Sequence, residues 1–282
     1  MGPILSPIVI RSLAAIPPAP PAGDLLLYAR ARAGRILAEG CGPSGVEVTF
    51  QPALFGNRVM VVAPGTGTGV TSFGIGVTTA ATLSHPALAT TNLATSIYRT
   101  RCQTSTTAGN AAGIRHAAAT MLRGNATARG GFFNHFRFCS GALTLTGCQQ
   151  FVGLSSSTAA LAGEPSTLTD ALGIVKDSAD TRFFFVRRTG SGTVQRVDLG
   201  QTWGANLTYD LILYSVPGGN DVGVVVRSFN NDGTAATLLD AVYNDNLPAA
   251  TTFLGARFDV RNGAVAAAAD GDLVRIYSES DF

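Results

Sequence analysis

Only 13% of the 282 residues are charged, and the charges nearly cancel at a formal +2. That balance excludes a strongly basic nucleic-acid binder, and a charge density about half the roughly 25% of an average chain suits a stable assembly better than a freely diffusing enzyme. The length allows one large β domain or two ordinary ones, with a core sufficient to fold without disulfides or metal.

Residues 1–16, MGPILSPIVIRSLAAI, are apolar, but no basic region precedes them, Arg11 interrupts them, and Pro3 and Pro7 break a helix. They predict an extended arm laid against another protein, not a signal peptide. No stretch of the chain approaches the roughly 20 apolar residues of a membrane span, so no membrane insertion is expected. Residues 17–23, PPAPPAG, predict a stiff polyproline-like spacer.

Residues 24–52 read as a small β meander. Leu25 to Ala31 forms the first strand, Arg35 to Glu39 the second, and Val46 to Phe50 the third, with AG and GCGPSG as turns. Such a unit is too small to be stable alone, so it packs on the body or on copies of itself. Arg11, Arg30, Arg32 and Arg35 concentrate here and read as a solvated basic turn.

From residue 53 to 282 the pattern is strand and turn throughout. NRVMVVAPG, FGIGVT, SIYRTRCQT, GGFFNHFRFCS, QQFVGLSSS, RFFFVRRTG, TVQRVDLG, YDLILYSVPGG, DVGVVVRSFNNDG, TFLGARFDVRNG and DLVRIYSES are short runs rich in β-branched and aromatic residues. Their spacing, with Gly, Asn and Asp turns between, marks an all-β sandwich or barrel. In FNHFRF, Phe136 and Phe138 face one way and His135 and Arg137 the other. The Ala-rich stretch Asn110 to Gly124 is assigned as strand, with Ile114, His116, Ala118, Thr120 and Leu122 on one face. A short helix near EPSTLTDALG takes Ser166 or Thr167 as its cap. No repeat of 20–50 residues is visible.

Chemistry-bearing motifs are sparse. GTGTG (Gly65 to Gly69) lacks phosphate-loop spacing and reads as a hairpin loop. VGLSSS has no GxSxG pattern. Cys41, Cys102, Cys139 and Cys148 form no CxxC, and His85, His116 and His135 are far apart in sequence, so no zinc site, metal or other cofactor is expected. The cysteines read as reduced, half-buried thiols, with a Cys139–Cys148 pairing left open across a loop. Asp177, Asp180, Asp198, Asp210, Asp221, Asp232 and Asp240 are carboxylates, but most lie in turn contexts where Asp bonds its own backbone. No catalytic residue is assigned, and an enzyme is not expected.

Sugar recognition requires an aromatic face and a few polar side chains. Trp203, the only tryptophan, lies near Asn206 in GQTWGANLTYD, either as an exposed platform or as a core residue closing the sandwich. The hairpin tip SFNNDG adds Asn230, Asn231 and Asp232. These five are the ligand-binding candidates. Asn125 and Asn206 also begin glycosylation triplets.

Taken in order, PPAPPAGDLLLYARARAGRILAEGCGPSGVEVTFQP, ALFGNRVMVVAPG, RGNATARGGFFNHFRF, QQFVGLSSSTAA, EPSTLTDALGI, VDLGQTW, NLPAATTFLG and DLVRIYSESD resemble the short tail-fibre or receptor-binding proteins of tailed bacteriophages. The resemblance runs from about Pro17 to Phe282. It implies a jelly-roll or lectin-like β-sandwich head, a homotrimer, and attachment to other virion tail proteins through the N-terminal arm. It supplies no catalytic residues. The expectation is a virion protein, assembled in the host cytoplasm, that adheres to bacterial surface glycan. The rivals are a structural virion component without a receptor and a polysaccharide depolymerase acting through two carboxylates.

Overall fold

The computed structural model describes residues 12–15, 17–32, 35–43, 47–50, 58–66, 69–124, 130–143 and 146–280. The meander forms as its alternation requires, from β1 (Ser12–Leu13), β2 (Leu26–Arg32), β3 (Arg35–Cys41) and β4 (Glu47–Phe50), in that order across the sheet. β2, β3 and β4 are antiparallel, with Ala29 opposite Ala38 and Ala38 opposite Phe50. The front of the chain differs from the expected spacer. β1 pairs in parallel with β2, Ser12 opposite Ala29. A parallel pair needs a long crossover, and the proline-rich stretch supplies it, turning where Asp24 N–H donates to Pro21 O and Gly23 takes φ +95°. The prolines therefore return the chain to its own meander; residues 1–11 of the arm lie outside the described residues.

The rest is a sandwich. In chain order its strands are β5 (Arg58–Pro64), β6 (Val70–Phe73), β7 (Val77–Ala80) and β8 (Thr82–Ser84), then a one-turn helix α1 (Leu93–Ser96). There follow β9 (Thr100–Gln103), β10 (Ala111–His116), β11 (Met121–Leu122), β12 (Phe132–Cys139) and β13 (Gln149–Ser155). The last eight are β14 (Ala171–Lys176), β15 (Arg182–Arg188), β16 (Gln195–Thr202), β17 (Thr208–Ser215), β18 (Val222–Phe229), β19 (Ala235–Tyr243), β20 (Phe253–Arg261) and β21 (Asp270–Ser280). The first sheet runs β19-β18-β17-β12-β21-β5-β6, with β9 on β21 and β8 on β9; the second runs β16-β15-β14-β13-β20-β10-β7, with β11 on β20.

Alternation fills the space between the sheets. Phe132, Phe136, Phe138, Tyr209, Leu211 and Leu213 of the first meet Val152, Leu154, Ile174, Phe183, Phe185 and Phe258 of the second. Phe138, Phe183 and Tyr209 interlock, with ring centroids 5.1–6.3 Å apart, in the stacked and edge-on contacts that aromatic quadrupoles favour. Phe136 and Phe138 point inward and His135 and Arg137 outward, as their alternation dictates.

Four sequence expectations change. FGIGVT is not one strand: β6 ends at Phe73 in the first sheet and β7 starts at Val77 in the second. Gly74 makes the corner at φ +82°, where an added Cβ would lie 2.2 Å from Val59 O. Asn110 to Gly124 is strand only to His116, then breaks and resumes at β11. The short helix is a single 3-10 turn, Pro165–Thr167, begun by proline, with Glu164 in the cap position and no side-chain cap; Ser166 and Thr167 lie inside it. The cysteines are free and fully buried rather than half-buried, so Cys139 and Cys148 do not pair.

Candidate functional site

The expected ligand residues are held by the fold's own bonds. Trp203, in the β16–β17 connection, packs against the sandwich core, and the Lys176 ammonium lies 4.8 Å from its ring centroid. Lys176 is buried, donates to Cys148 O at 2.6 Å, and has its pKa lowered by that burial. Asn206 takes a left-handed turn at φ +55°, its N–H donating to Gly141 O. At the β18–β19 hairpin, Asn230 Nδ2 donates to Thr234 Oγ1, Thr234 N–H to Asp232 Oδ1, and Leu93 N–H to Asn231 Oδ1. Thr208 pairs with Phe229, so both groups sit at one end of the first sheet.

The carboxylates considered above are engaged in ion pairs or turns. Asp180 pairs with Arg196, which also reaches Asp177 at 3.5 Å; Asp198 pairs with Arg182, Asp210 with Arg137, and Asp240 with Arg30. Asp221 acts electrostatically on Arg123. Burial pushes the Cys139 thiol up to about 12 and the Cys148 thiol up to about 11. Among the described residues, no group of three His, Cys, Asp or Glu could hold a metal, and no helix is long and apolar enough to cross a membrane.

The two outer sheet faces differ. That of the second sheet is roofed by its own chain. Phe151, Ala171, Val175 and Val186 are buried there beneath Leu168 and Val194. Arg257, paired with Asp259 at 2.6 Å, holds the β13–β14 connection down through Ser157 O and Ala159 O at 2.8 and 3.0 Å. Gly153 and Gly173 face each other across β13 and β14, where a Cβ on Gly153 would lie 2.2 Å from Leu172 O.

Among the described residues, the outer face of the first sheet is covered at its two ends. At one end the meander docks Leu37 onto Phe133, Ile212, Tyr214 and Val225, a burial worth about 2 kcal/mol. At the other end, the segment following α1 is pinned by Arg99 Nε to Asp272 Oδ2 at 2.6 Å, and α1 itself by Asn231. Arg101 also contacts Asp272 and Asp270. Burial, the leading influence, raises the Asp270 pKa.

Between these roofs runs a charged strip. The register aligns Arg275, Arg137, Asp210 and Arg227 across β21, β12, β17 and β18. Arg137 Nε and Nη2 donate to the two oxygens of Asp210, both at 2.7 Å, and the Arg137 guanidinium carbon stands 4.8 Å from the Phe229 ring centroid. Arg275 Nη2 donates to His135 Nδ1 at 3.2 Å, so the ring proton sits on Nε2, which lies 3.2 Å from Asp210 Oδ1. Burial alone would raise the Asp210 pKa, but His135 and Arg137 outweigh it and hold the carboxyl well below its usual range. The bond to Asp210 raises the Arg137 pKa. Asp210 and Arg227 are buried, while Arg275 is exposed and Arg137 keeps 32% of its side chain accessible. The strip can present guanidinium forks to an oxyanion or a hydroxylated ligand.

The sequence reading did not identify this strip. Arg275 points outward because β21 carries an extra residue opposite Arg137 and Phe138, and such bulges re-aim side chains. The signal is present: Leu273 and Ile276 both face the core, a spacing of three that strict alternation forbids.

No family model matches this chain, and no curated protein does. Among solved structures it is similar to a protein of unknown function from Shewanella oneidensis MR-1, at 11% identity over 82% of this chain and 89% of that one, with a TM-score of 0.52. Arcelin-5, a lectin-like defence protein from Phaseolus vulgaris, aligns at 9% identity over 80% and 99% of the two chains, with a TM-score of 0.49. Peanut lectin aligns at 10% identity over 79% and 97%, with a TM-score of 0.47. At such identities likeness concerns fold alone. The expected all-β sandwich holds, and its fold is shared with the Shewanella protein.

Proposed function

We propose that this chain is a bacteriophage tail-fibre or receptor-binding protein that adheres as a homotrimer to bacterial surface glycan without cleaving it. The observation that carries the reading is the outward face of the meander. Fixed to the sandwich through Leu37, the meander turns Leu25, Leu27 and Ile36 away from it, exposed to 60%, 60% and 71%. An apolar face on a small four-stranded sheet is a surface that another chain covers, and its position beside the arm suits both copies of the chain and other tail proteins. The rest of that sheet face, with the charged strip and the polar hairpin tip at its opposite end, is left for the ligand. Three copies on one particle convert weak sugar contacts into firm attachment through effective concentration.

Purified protein should sediment as a trimer, block phage adsorption, and bind host envelope glycan without releasing sugar fragments. A stable monomer with no effect on adsorption refutes the reading, and released oligosaccharide makes the protein an enzyme.

A further inference from the structure

We infer that the strip on the outer face of the first sheet binds an anionic sugar unit, a glycan bearing a carboxylate or phosphate, with Arg275 as the principal contact and Arg137 beside it. The inference rests on the adhesive reading above and names the ligand class. Arg137 and Arg275 are directly opposite in the β12–β21 ladder, and like charges in that relation destabilise a sheet. Asp210, on the strand at the other side of Arg137, does not resolve this. Both Asp210 oxygens accept from Arg137, and among the described residues the side-chain hydrogen bond of Arg275 goes to Nδ1 of His135 and not to a carboxylate. The bulge in β21 keeps Arg275 on this face, and the roofs on either side make the strip a trough. An oxyanion placed there would receive a guanidinium fork, and the partly enclosed setting strengthens such charge-assisted bonds. Hydroxyl groups of the same sugar fall within the reach of Arg137 and His135 on the trough floor.

The test is calorimetric titration of the full chain with polygalacturonate, phosphomannan and neutral dextran at physiological salt, repeated on Arg275→Gln, Arg275→Lys and Arg182→Gln. Arg182 is exposed and paired with Asp198 on the second sheet, so its variant controls for net charge. The expected result is binding of at least one anionic polymer and none of dextran, weakened about tenfold in Arg275→Gln, weakened less in Arg275→Lys, which keeps the charge but loses the fork, and unchanged in Arg182→Gln. Which polymer binds tells carboxylate from phosphate. Equal affinity of Arg275→Gln and the native chain overturns the inference, as does equal binding of a single-stranded DNA oligonucleotide, which would indicate indiscriminate attraction to polyanions. Binding of host envelope glycan that Arg275→Gln leaves intact removes the anionic site while adhesion stands; absence of any binding to host envelope removes both.

Discussion

His116 ends β10 fully buried, its Nδ1 accepting from Ala256 N–H at 3.4 Å and its Nε2 without a hydrogen-bond partner among the described residues. Burial lowers its pKa from 6.5 to about 4. The unfolded chain therefore takes up a proton on acidification before the folded chain does. The associated stability is complete above pH 6.5 and is lost as pH falls toward 4. The full gap corresponds to about 3 kcal/mol, of which about 2 kcal/mol is gone by about pH 5. For a chain of this size that is a fall in Tm of roughly 4–8 °C between about pH 7.5 and about pH 5. His116→Leu removes the titrating group; it also removes the acceptor of Ala256 N–H, a loss that is the same at every pH in the window. Calorimetric Tm values for both proteins across this window should show the native chain losing several degrees more than the variant. The remaining histidines are common to both and cancel, and most carboxylates titrate below the window. Parallel Tm curves for the two proteins would refute the argument.

Leu37→Ala should release the meander: amide exchange in β2 and β3 accelerates with a docking loss of about 2–5 kcal/mol, while the Tm of the sandwich holds. Unchanged exchange there would mean that other contacts fix the meander. Trp203, the sole tryptophan, should emit at a blue-shifted wavelength and resist iodide quenching; red-shifted, quenchable emission would restore it as an exposed platform.

Much of the fold was readable wherever a single periodicity governs a segment. The residues 132–139 display it best, because one face meets a packed core and the other a polar surface. The meander was equally legible from Leu25 to Phe50. Where both faces are covered the signal fades. β14, ALGIVK, is apolar on both sides because the β13–β14 connection roofs it, and it went unnoticed beside the expected helix. β19 was missed as well, its Leu-Leu pair blurred by the bulge opposite Val226 and Arg227. The proline-rich stretch was correctly extended but wrongly aimed, since local stiffness does not say where a strand will find its parallel neighbour. The candidate site was the least legible part. Its three arginines come from β12, β18 and β21, far apart in sequence, and a bulge sets the direction of the most exposed one.

The position of β21 has a consequence for biogenesis. It lies in the middle of the first sheet, between β12 and β5, yet it is the last described strand to leave the ribosome. Until it emerges, β12 and β5 each lack a neighbour, and the sandwich cannot close. Synthesis must therefore pass through a stage with two unsatisfied edges, which calls for slow completion and protection against pairing with other nascent chains.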